Sequence, residues 1–193
     1  MNILVFGKDG QLGKAFKAVF DASKLDELHR ITYVGRAECD LANSDAIAEL
    51  LNRIKPDLII NAAAYTAVDK AESEPEKANL INVIGPKNLA VVCKEFSSVL
   101  LHISTDFVFD GSKNIPYNET DIPNPTGVYG QTKLDGEKAI QAVFENYYIV
   151  RTSWVYSQFG NNFMKTMLRL ASERDSKIGR AHVWTPVTLY YLV

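Results

Sequence analysis

The chain has 193 residues, of which 47% are hydrophobic and 23% are charged, and its formal net charge is −2. This composition excludes a disordered chain and supplies enough apolar side chains for one sizeable core. The near-neutral charge provides no broad basic surface, so we expect small molecules or other proteins as partners, and no nucleic acid.

The N-terminus and the cysteines bear on the cellular compartment. The opening "MNILVFGKDG" has too short an apolar run for a signal peptide, and no stretch of about 20 apolar residues is available to span a membrane. Cys39 and Cys93 lack CxxC spacing and a nearby histidine pattern, so we expect two small buried residues in a reducing compartment and no metal site. These features predict a cytoplasmic protein that does not enter the membrane.

Short apolar runs alternate with longer segments of helical period, which is the pattern of βαβ units. Runs this continuous are typical of parallel strands buried on both faces. We therefore predict an α/β fold with a Rossmann-type doubly wound parallel sheet. The predicted strands are Ile3–Phe6, Ile31–Val34, Leu58–Ile60, Val99–Ile103 and Tyr148–Val150, and the predicted helices are Leu12–Phe20, Asp45–Ile54 with Ser44 as N-cap, Glu76–Glu95 and Tyr129–Phe144.

A glycine turn follows the first predicted strand. The motif "GKDGQLG" places Gly7, Gly10 and Gly13 between this strand and the first predicted helix. Glycine suits a tight turn and a close approach of the backbone to a pyrophosphate, whose charge meets free N–H groups and the positive end of the helix. Because the motif opens an alternating α/β chain, it favours dinucleotide binding over a merely structural turn.

The ends of the second and third strands supply further cofactor candidates. After the second strand, "VGRAECDL" contains Arg36, which slightly favours NADP because arginine can pair with a 2′-phosphate. A solvated surface arginine is nearly as plausible, so NADPH and NADH both stay open. Asp40 and Leu41 are candidates for the adenine side. After the third strand come three small residues, Ala62, Ala63 and Ala64. They would let a ligand approach the backbone, or they would serve the tight packing of a helix on the sheet.

The fourth strand ends in "HISTDFVFDG", which puts Thr105 and Asp106 at the carboxyl edge of the sheet, where such folds bind ligands. Beyond a long irregular loop at residues 110–127, Tyr129 and Lys133 are four positions apart and share a helix face. An ammonium favours the phenolate, so we predict that Lys133 lowers the pKa of Tyr129. With Thr105 holding a carbonyl oxygen, the set predicts a carbonyl reductase in which Tyr129 donates the proton.

Five segments together resemble a known family. They are "GKDGQLG", "NAAAYTAVDKAE", "HISTDFVFDG", "PYNETDIPNPTGVYGQTKLDGE" and "IVRTSWVYSQFGNNFMKTMLRLA". On these motifs residues 1 to about 177 are similar to the extended short-chain dehydrogenase/reductases, and within them to the dTDP-4-dehydrorhamnose reductases. The resemblance implies NADPH- or NADH-dependent reduction of dTDP-4-dehydro-L-rhamnose to dTDP-L-rhamnose, a nucleotide sugar for cell-surface polysaccharide.

The resemblance also implies roles for individual residues. Thr105, Tyr129 and Lys133 would be catalytic, with Tyr129 as the proton donor. Trp154 would contact the sugar together with Thr105 and Asp106, although a core-filling role is the alternative. The cofactor contacts would include Gly10, Gln11 and Leu12 at the pyrophosphate, Asp40 and Leu41 at the adenine, Ala63, Ala64 and Tyr65 at the middle, and Tyr129 and Lys133 at the catalytic end.

Other activities remain open at the level of sequence. Nucleotide-sugar dehydratases carry a glutamate after the Ser-Thr-Asp motif, whereas this chain has Phe107, so dehydration is not expected. A reductase or epimerase of another nucleotide sugar is one alternative. A non-catalytic NADP-binding subunit is another, because the regulatory subunit of methionine adenosyltransferase resembles the same family. The resemblance further implies a homodimer, and Mg²⁺ by resemblance alone.

The end of the chain departs from the family pattern. Residues 178–193, "IGRAHVWTPVTLYYLV", resemble the translation of a common DNA sequencing adapter. We expect residues 1–177 to form an NAD(P)-binding Rossmann domain and residues 178–193 to be a sequencing or assembly artefact. Most of the smaller C-terminal substrate-binding part would then be missing, and this polypeptide is expected to bind cofactor but turn over poorly.

Overall fold

The structure, a computed structural model, describes residues 1–173 and contains one parallel sheet. The predicted tail at residues 178–193 lies outside the described residues. The strands are β1 (Asn2–Phe6), β2 (Arg30–Val34), β3 (Leu58–Asn61), β4 (Val99–Thr105) and β5 (Tyr147–Thr152), in the order β2-β1-β3-β4-β5. All four pairings are parallel, and the winding direction reverses between β1 and β3. This is the doubly wound α/β fold that the sequence predicts.

Helices connect the strands. They are α1 (Gln11–Ala22), α2 (Leu25–Leu28), α3 (Ser44–Ile54), α4 (Val68–Ala71), α5 (Pro75–Asn79), α6 (Gly85–Phe96), α7 (Val128–Val143) and α8 (Phe163–Glu173), with a π turn at Leu80–Ile84 and a 3₁₀ turn at Asp106–Val108. Within residues 1–173, none of these helices combines the length and apolarity that a bilayer crossing requires.

The predicted helix over residues 76–95 is confirmed, because α5, the π turn and α6 follow one another without a break from Pro75 to Phe96. The predicted N-cap Ser44 is wrong, since Ser44 is the first residue inside α3. Asn43 caps the helix instead, since its Oδ1 accepts a hydrogen bond from the Ala46 N–H at 3.1 Å. Both residues are short and polar, so sequence alone does not fix which of them begins the helix.

The sheet is buried on both faces. Leu4 and Phe6 of β1 point into the larger core, against side chains from α3, α6 and α7. Ile3 and Val5 point the other way, where Phe16 of α1 packs against them. This two-sided burial explains the continuous apolar runs. The two cysteines are buried and unpaired, as predicted.

Helix α7 packs backbone against backbone on the π turn. A Cβ atom at Gly136 of α7 would lie 2.0 Å from the carbonyl oxygen of Asn82. The Asn82 side chain is buried, accepts from the Tyr65 N–H at 2.8 Å, and donates to the Tyr65 carbonyl and the Thr132 Oγ1. Asn82 therefore links the loop after β3 to α7.

We predict that Gly136→Ala destabilises the fold by at least about 2 kcal/mol, because the added methyl group must push α7 away from the π turn. The midpoint of urea unfolding measures this loss. Gln141→Ala, on the exposed side of the same helix, is the matched control and should change stability by less than about 0.5 kcal/mol. Equal midpoints for the two variants would contradict the close packing at Gly136.

Candidate active site

The residues singled out from the sequence collect along one edge of the sheet. The glycine turn follows β1, Arg36 follows β2, the alanines follow β3, Thr105 ends β4 and Trp154 follows β5. Helix α7 contributes Tyr129 and Lys133 beside β4. Because parallel strands end at one edge of a sheet, the segments that follow all five strands lie along this edge, where folds of this type bind ligands.

The three glycines of the turn have different roles. Gly7 has a φ of +89°, and a Cβ there would lie 2.7 Å from the Ala63 nitrogen; a Cβ at Gly13 would lie 2.2 Å from the Gly7 oxygen. The fold itself therefore requires these two glycines. At Gly10, φ is −73°, and the nearest described atom to an added Cβ is the Gly7 oxygen at 3.3 Å. Gly10 is nevertheless exposed, so a ligand can reach the N-terminus of α1, where the first N–H groups have no acceptors within the helix.

Gln11 joins the glycine turn to the segment after β5, because its Nε2 donates to the Val155 carbonyl at 2.7 Å. In that segment Trp154 has a φ of +50°, a left-handed conformation that is costly for a bulky residue. Its ring contacts Phe163 edge-on at 5.1 Å and stacks on Tyr156 at 6.4 Å between centroids. Trp154 is therefore held at this edge of the sheet by aromatic neighbours rather than filling the main core.

The predicted adenine side is split by burial. Arg36 is exposed and pairs with the half-buried Asp40, with 3.2 Å between the arginine Nε and a carboxylate oxygen. The other oxygen of Asp40 accepts from the Ala42 N–H. Leu41 instead lies in the core, and its carbonyl accepts from the Asn88 amide at 3.0 Å. Of these predicted contacts, the side chains of Arg36 and Asp40 are accessible and that of Leu41 is not.

Thr105 and Tyr129 meet at the end of β4. The Thr105 hydroxyl donates to Asp106 Oδ1 at 3.1 Å and accepts from the Phe107 N–H at 3.2 Å. Burial raises the pKa of Asp106. The Phe107 ring stands edge-on to the Tyr129 ring, with 5.5 Å between centroids.

The prediction that Lys133 lowers the pKa of Tyr129 is wrong for this structure. Burial raises the pKa of Tyr129, contact with Thr105 lowers it in part, and the charge of Asp106 raises it further. The amine of Lys133 points elsewhere, donating to the Ile103 carbonyl at 2.8 Å and lying 3.3 Å from His102 Nε2. Tyr129 is consequently protonated at neutral pH.

Lys133 is itself buried, with 1% of its surface exposed. Burial lowers the pKa of its amine to about 8, against the charge of Glu137, which raises it. A pKa of about 8 brings the loss of the amine's proton much closer to neutral pH than for an exposed lysine.

A buried ion pair fixes α7 on the sheet. Glu137, one turn after Lys133, accepts from the Ser104 hydroxyl at 2.5 Å and from two nitrogens of Arg151 at 2.6 and 3.0 Å. The Arg151 guanidinium also lies over the Phe109 ring at 5.1 Å. That ring stacks on Tyr117, so the same arginine anchors the long loop at residues 110–127.

Three residues of this site were not identified from the sequence: Asn82, His102 and Glu137. Glu137 is four positions after Lys133, so a signal was present in the shared helix face. His102 is a polar residue in an apolar strand, which is a second usable signal. Nothing in a single sequence predicts a π turn around Asn82.

Among residues 1–173, no group of three or more His, Cys, Asp and Glu is arranged to hold a metal ion.

This geometry can be compared with known proteins. A family model described as "RmlD substrate binding domain" matches residues 1–178. The chain belongs to this family. It is 49% identical over 179 residues to the dTDP-4-dehydrorhamnose reductase of Escherichia coli (strain K12), an alignment that covers 91% of this chain and 58% of that protein. The chain thus spans little more than half the length of the curated relatives it matches.

Solved structures of the family have the same fold. A dTDP-4-dehydrorhamnose reductase from Clostridium acetobutylicum superimposes with a TM-score of 0.85 at 41% identity, covering 91% of this chain and 61% of that one. The enzyme of the same name from Bacillus anthracis, solved in complex with NADP, has a TM-score of 0.84 at 38% identity and covers 89% and 60%.

We predict that Glu137→Ala destabilises the protein by about 3 kcal/mol, because it leaves the Arg151 guanidinium partly buried without its partner. Chemical denaturation measures the loss. Asp21→Ala removes the partner of Lys17 in a pair with both side chains about half exposed, so it should cost less than about 0.5 kcal/mol. If the two variants lose equal stability, α7 is not held in place by Glu137.

Proposed function

We propose that the protein is a reductase that uses NADPH or NADH to reduce the 4-keto group of dTDP-4-dehydro-L-rhamnose to dTDP-L-rhamnose. The observation that carries this proposal is that Thr105 and Tyr129 meet at the carboxyl end of β4, with Lys133 one turn further along α7, on the same edge of the sheet as the exposed Gly10 turn. The names of the relatives support the substrate, because all three are dTDP-4-dehydrorhamnose reductases.

The described residues fit a nicotinamide dinucleotide. Gly10 leaves space at the N-terminus of α1 for a pyrophosphate, held by the first amides of the helix. Arg36 and Asp40 would lie at the adenosine end, and Ala63 and Ala64 near the middle. The exposed Arg36 suits a 2′-phosphate and its neighbour Asp40 suits a ribose hydroxyl, so both forms of the cofactor remain in the proposal. The relative from Bacillus anthracis was solved with NADP.

The reduced nicotinamide, when bound, supplies a hydride for the carbonyl carbon. Thr105 can donate a hydrogen bond to the carbonyl oxygen, because its hydroxyl proton is exchangeable between Asp106 and a substrate. Tyr129, kept protonated by burial, transfers its proton to that oxygen. Lys133 in its cationic form stabilises the tyrosinate that results.

The sugar would sit between β4 and the segment after β5, against Thr105, Asp106 and Trp154. Phe107 gives this crevice an aromatic edge where a dehydratase would have a glutamate, so the residues favour reduction over elimination of water. The homodimer, the Mg²⁺ implied by resemblance and the cytoplasmic location stay predictions for the complete protein.

We predict that Gly10→Asp abolishes cofactor binding without unfolding the chain. Aspartate is a favourable N-cap at the backbone angles of Gly10, whereas its side chain and charge would occupy the pyrophosphate position. The expected result is a folded variant whose melting temperature stays close to that of the unmodified chain, since the N-cap hydrogen bond offsets the tight contact of the new Cβ with the Gly7 oxygen, and at least about a 100-fold weaker Kd for NADPH by fluorescence titration. Unchanged NADPH affinity in the folded variant would place the cofactor elsewhere.

Turnover is tested in a chain extended to the length of the relatives. It should oxidise NADPH when given dTDP-4-dehydro-L-rhamnose, and Tyr129→Phe should lower kcat about 10²- to 10⁴-fold while NADPH affinity is kept. Tyr148→Phe, an exposed tyrosine on β5, is the matched control and should leave kcat unchanged. Faster oxidation with a UDP-linked ketosugar would favour another nucleotide-sugar enzyme. No oxidation, together with binding to methionine adenosyltransferase, would favour the regulatory-subunit alternative.

A further inference from the structure

A row of buried polar groups runs from β3 through β4 to α7. Asn61 and His102 are neighbours across the β3–β4 pairing, and both are fully buried. Asn61 Oδ1 lies 3.1 Å from the Ala63 nitrogen, and Asn61 Nδ2 lies 3.0 Å from His102 Nδ1. On the far side of the ring, His102 Nε2 lies 3.3 Å from the Lys133 Nζ. The reaction proposed above makes no use of Asn61 or His102.

The Ala63 N–H determines which atom donates and which accepts in each of the following hydrogen bonds. The Ala63 backbone N–H can only donate, so the amide atom that faces it must be the oxygen of Asn61. The Asn61 NH₂ group therefore faces His102 Nδ1, which must accept. Burial keeps the pKa of His102 well below its ordinary value, and a nitrogen that accepts a hydrogen bond carries no proton, so the ring is neutral and has one N–H. That proton must be on Nε2.

The N–H of His102 consequently points at the amine of Lys133. An ammonium has no lone pair and cannot accept this hydrogen bond, whereas an uncharged amine can accept it and still donate to the Ile103 carbonyl. We propose that His102, set by Asn61 as the Nε2–H tautomer, is a positioning residue that holds the Lys133 amine and selects its uncharged form. Its role in catalysis rests on the proposed reductase function.

Charged neighbours of Lys133 favour its ammonium form, in opposition to His102. Glu137, on the next turn of α7, favours the ammonium, and Arg151 from β5 partly neutralises that carboxylate. Asp106, after β4, and Tyr129, on α7, are the other titratable groups at this end of the site. From β3 the neighbour is the uncharged Asn61. Burial and the hydrogen-bonded row from Ala63 thus favour the uncharged amine of Lys133, whereas Glu137 favours the ammonium. The balance leaves the pKa of Lys133 at about 8.

The tautomer of His102 can be measured directly in the full chain by ¹⁵N NMR of labelled histidine, with the signal assigned by its loss in His102→Gln. The expected result at about pH 9, where the Lys133 amine is uncharged, is a neutral ring with its proton on Nε2. A proton on Nδ1, or an imidazolium, at that pH would overturn the proposal. This measurement needs neither cofactor nor turnover, so it is independent of the proposed function.

A variant of nearly the same shape, Asn61→Asp, should reverse the direction of the hydrogen bonds in the row. In Asn61→Asp a carboxylate accepts from both the Ala63 N–H and the imidazole, so the proton of His102 should move to Nδ1 and Nε2 should accept from an ammonium. The pKa of Lys133, followed through its ¹⁵Nζ signal, should then rise by at least one unit, a tenfold change in the protonation equilibrium. Asn146→Asp, which adds the same charge at an exposed position, should leave it unchanged. Equal titration of Lys133 in both variants would contradict the proposal; if Asn61→Asp does not fold, the tautomer in the unmodified chain decides.

In the extended chain the same variant provides a kinetic readout. A shift in the pH dependence of kcat for Asn61→Asp, at unchanged NADPH affinity, is expected if Lys133 acts through this row. A uniform loss of kcat at every pH would indicate a merely structural role for Asn61 and contradict the proposal. Failure of the extended chain to oxidise NADPH at all, with the Nε2–H tautomer present, would refute the reductase function and leave the hydrogen-bonded row intact.

Discussion

Helix α7 is held against the sheet by charged groups that are buried and paired, and the site depends on this attachment. Glu137 accepts from Ser104 on β4 and from Arg151 on β5, while Lys133 donates to the Ile103 carbonyl. A buried charge is tolerated only when its partners compensate for lost hydration. These pairings therefore fix the rotation of α7, and the rotation determines which side chains face β4.

The same attachment explains why the helix carries small residues where it does. Gly136 allows the backbone of α7 to approach the π turn, and Gly130 allows it to approach the Phe107 carbonyl, which would lie 2.2 Å from an added Cβ. Close approach brings Tyr129 against Phe107 and Thr105 instead of leaving it on the surface. Burial then raises the pKa of the tyrosine, which keeps it a proton donor at neutral pH.

Much of this arrangement could be predicted from the sequence because it depends on local patterns. The five strands, the glycine turn and the Tyr129–Lys133 pair each have a periodicity or spacing that a single chain displays. The electrostatics could not be predicted in the same way. The effect of Lys133 on Tyr129 depends on where the amine points, and that is set by His102 and Ile103 on another element. Likewise, the π turn arises from tertiary packing that no propensity scale records.

Gly10 and the Tyr129–Lys133 pair would be the two ends of a single nucleotide site. A crystal structure of the chain with NADPH tests this proposal most directly. We expect the pyrophosphate over Gly10 at the N-terminus of α1, and the nicotinamide within about 4 Å of the Tyr129 hydroxyl. A cofactor whose pyrophosphate lies away from Gly10, or whose nicotinamide lies away from Tyr129, would contradict the account.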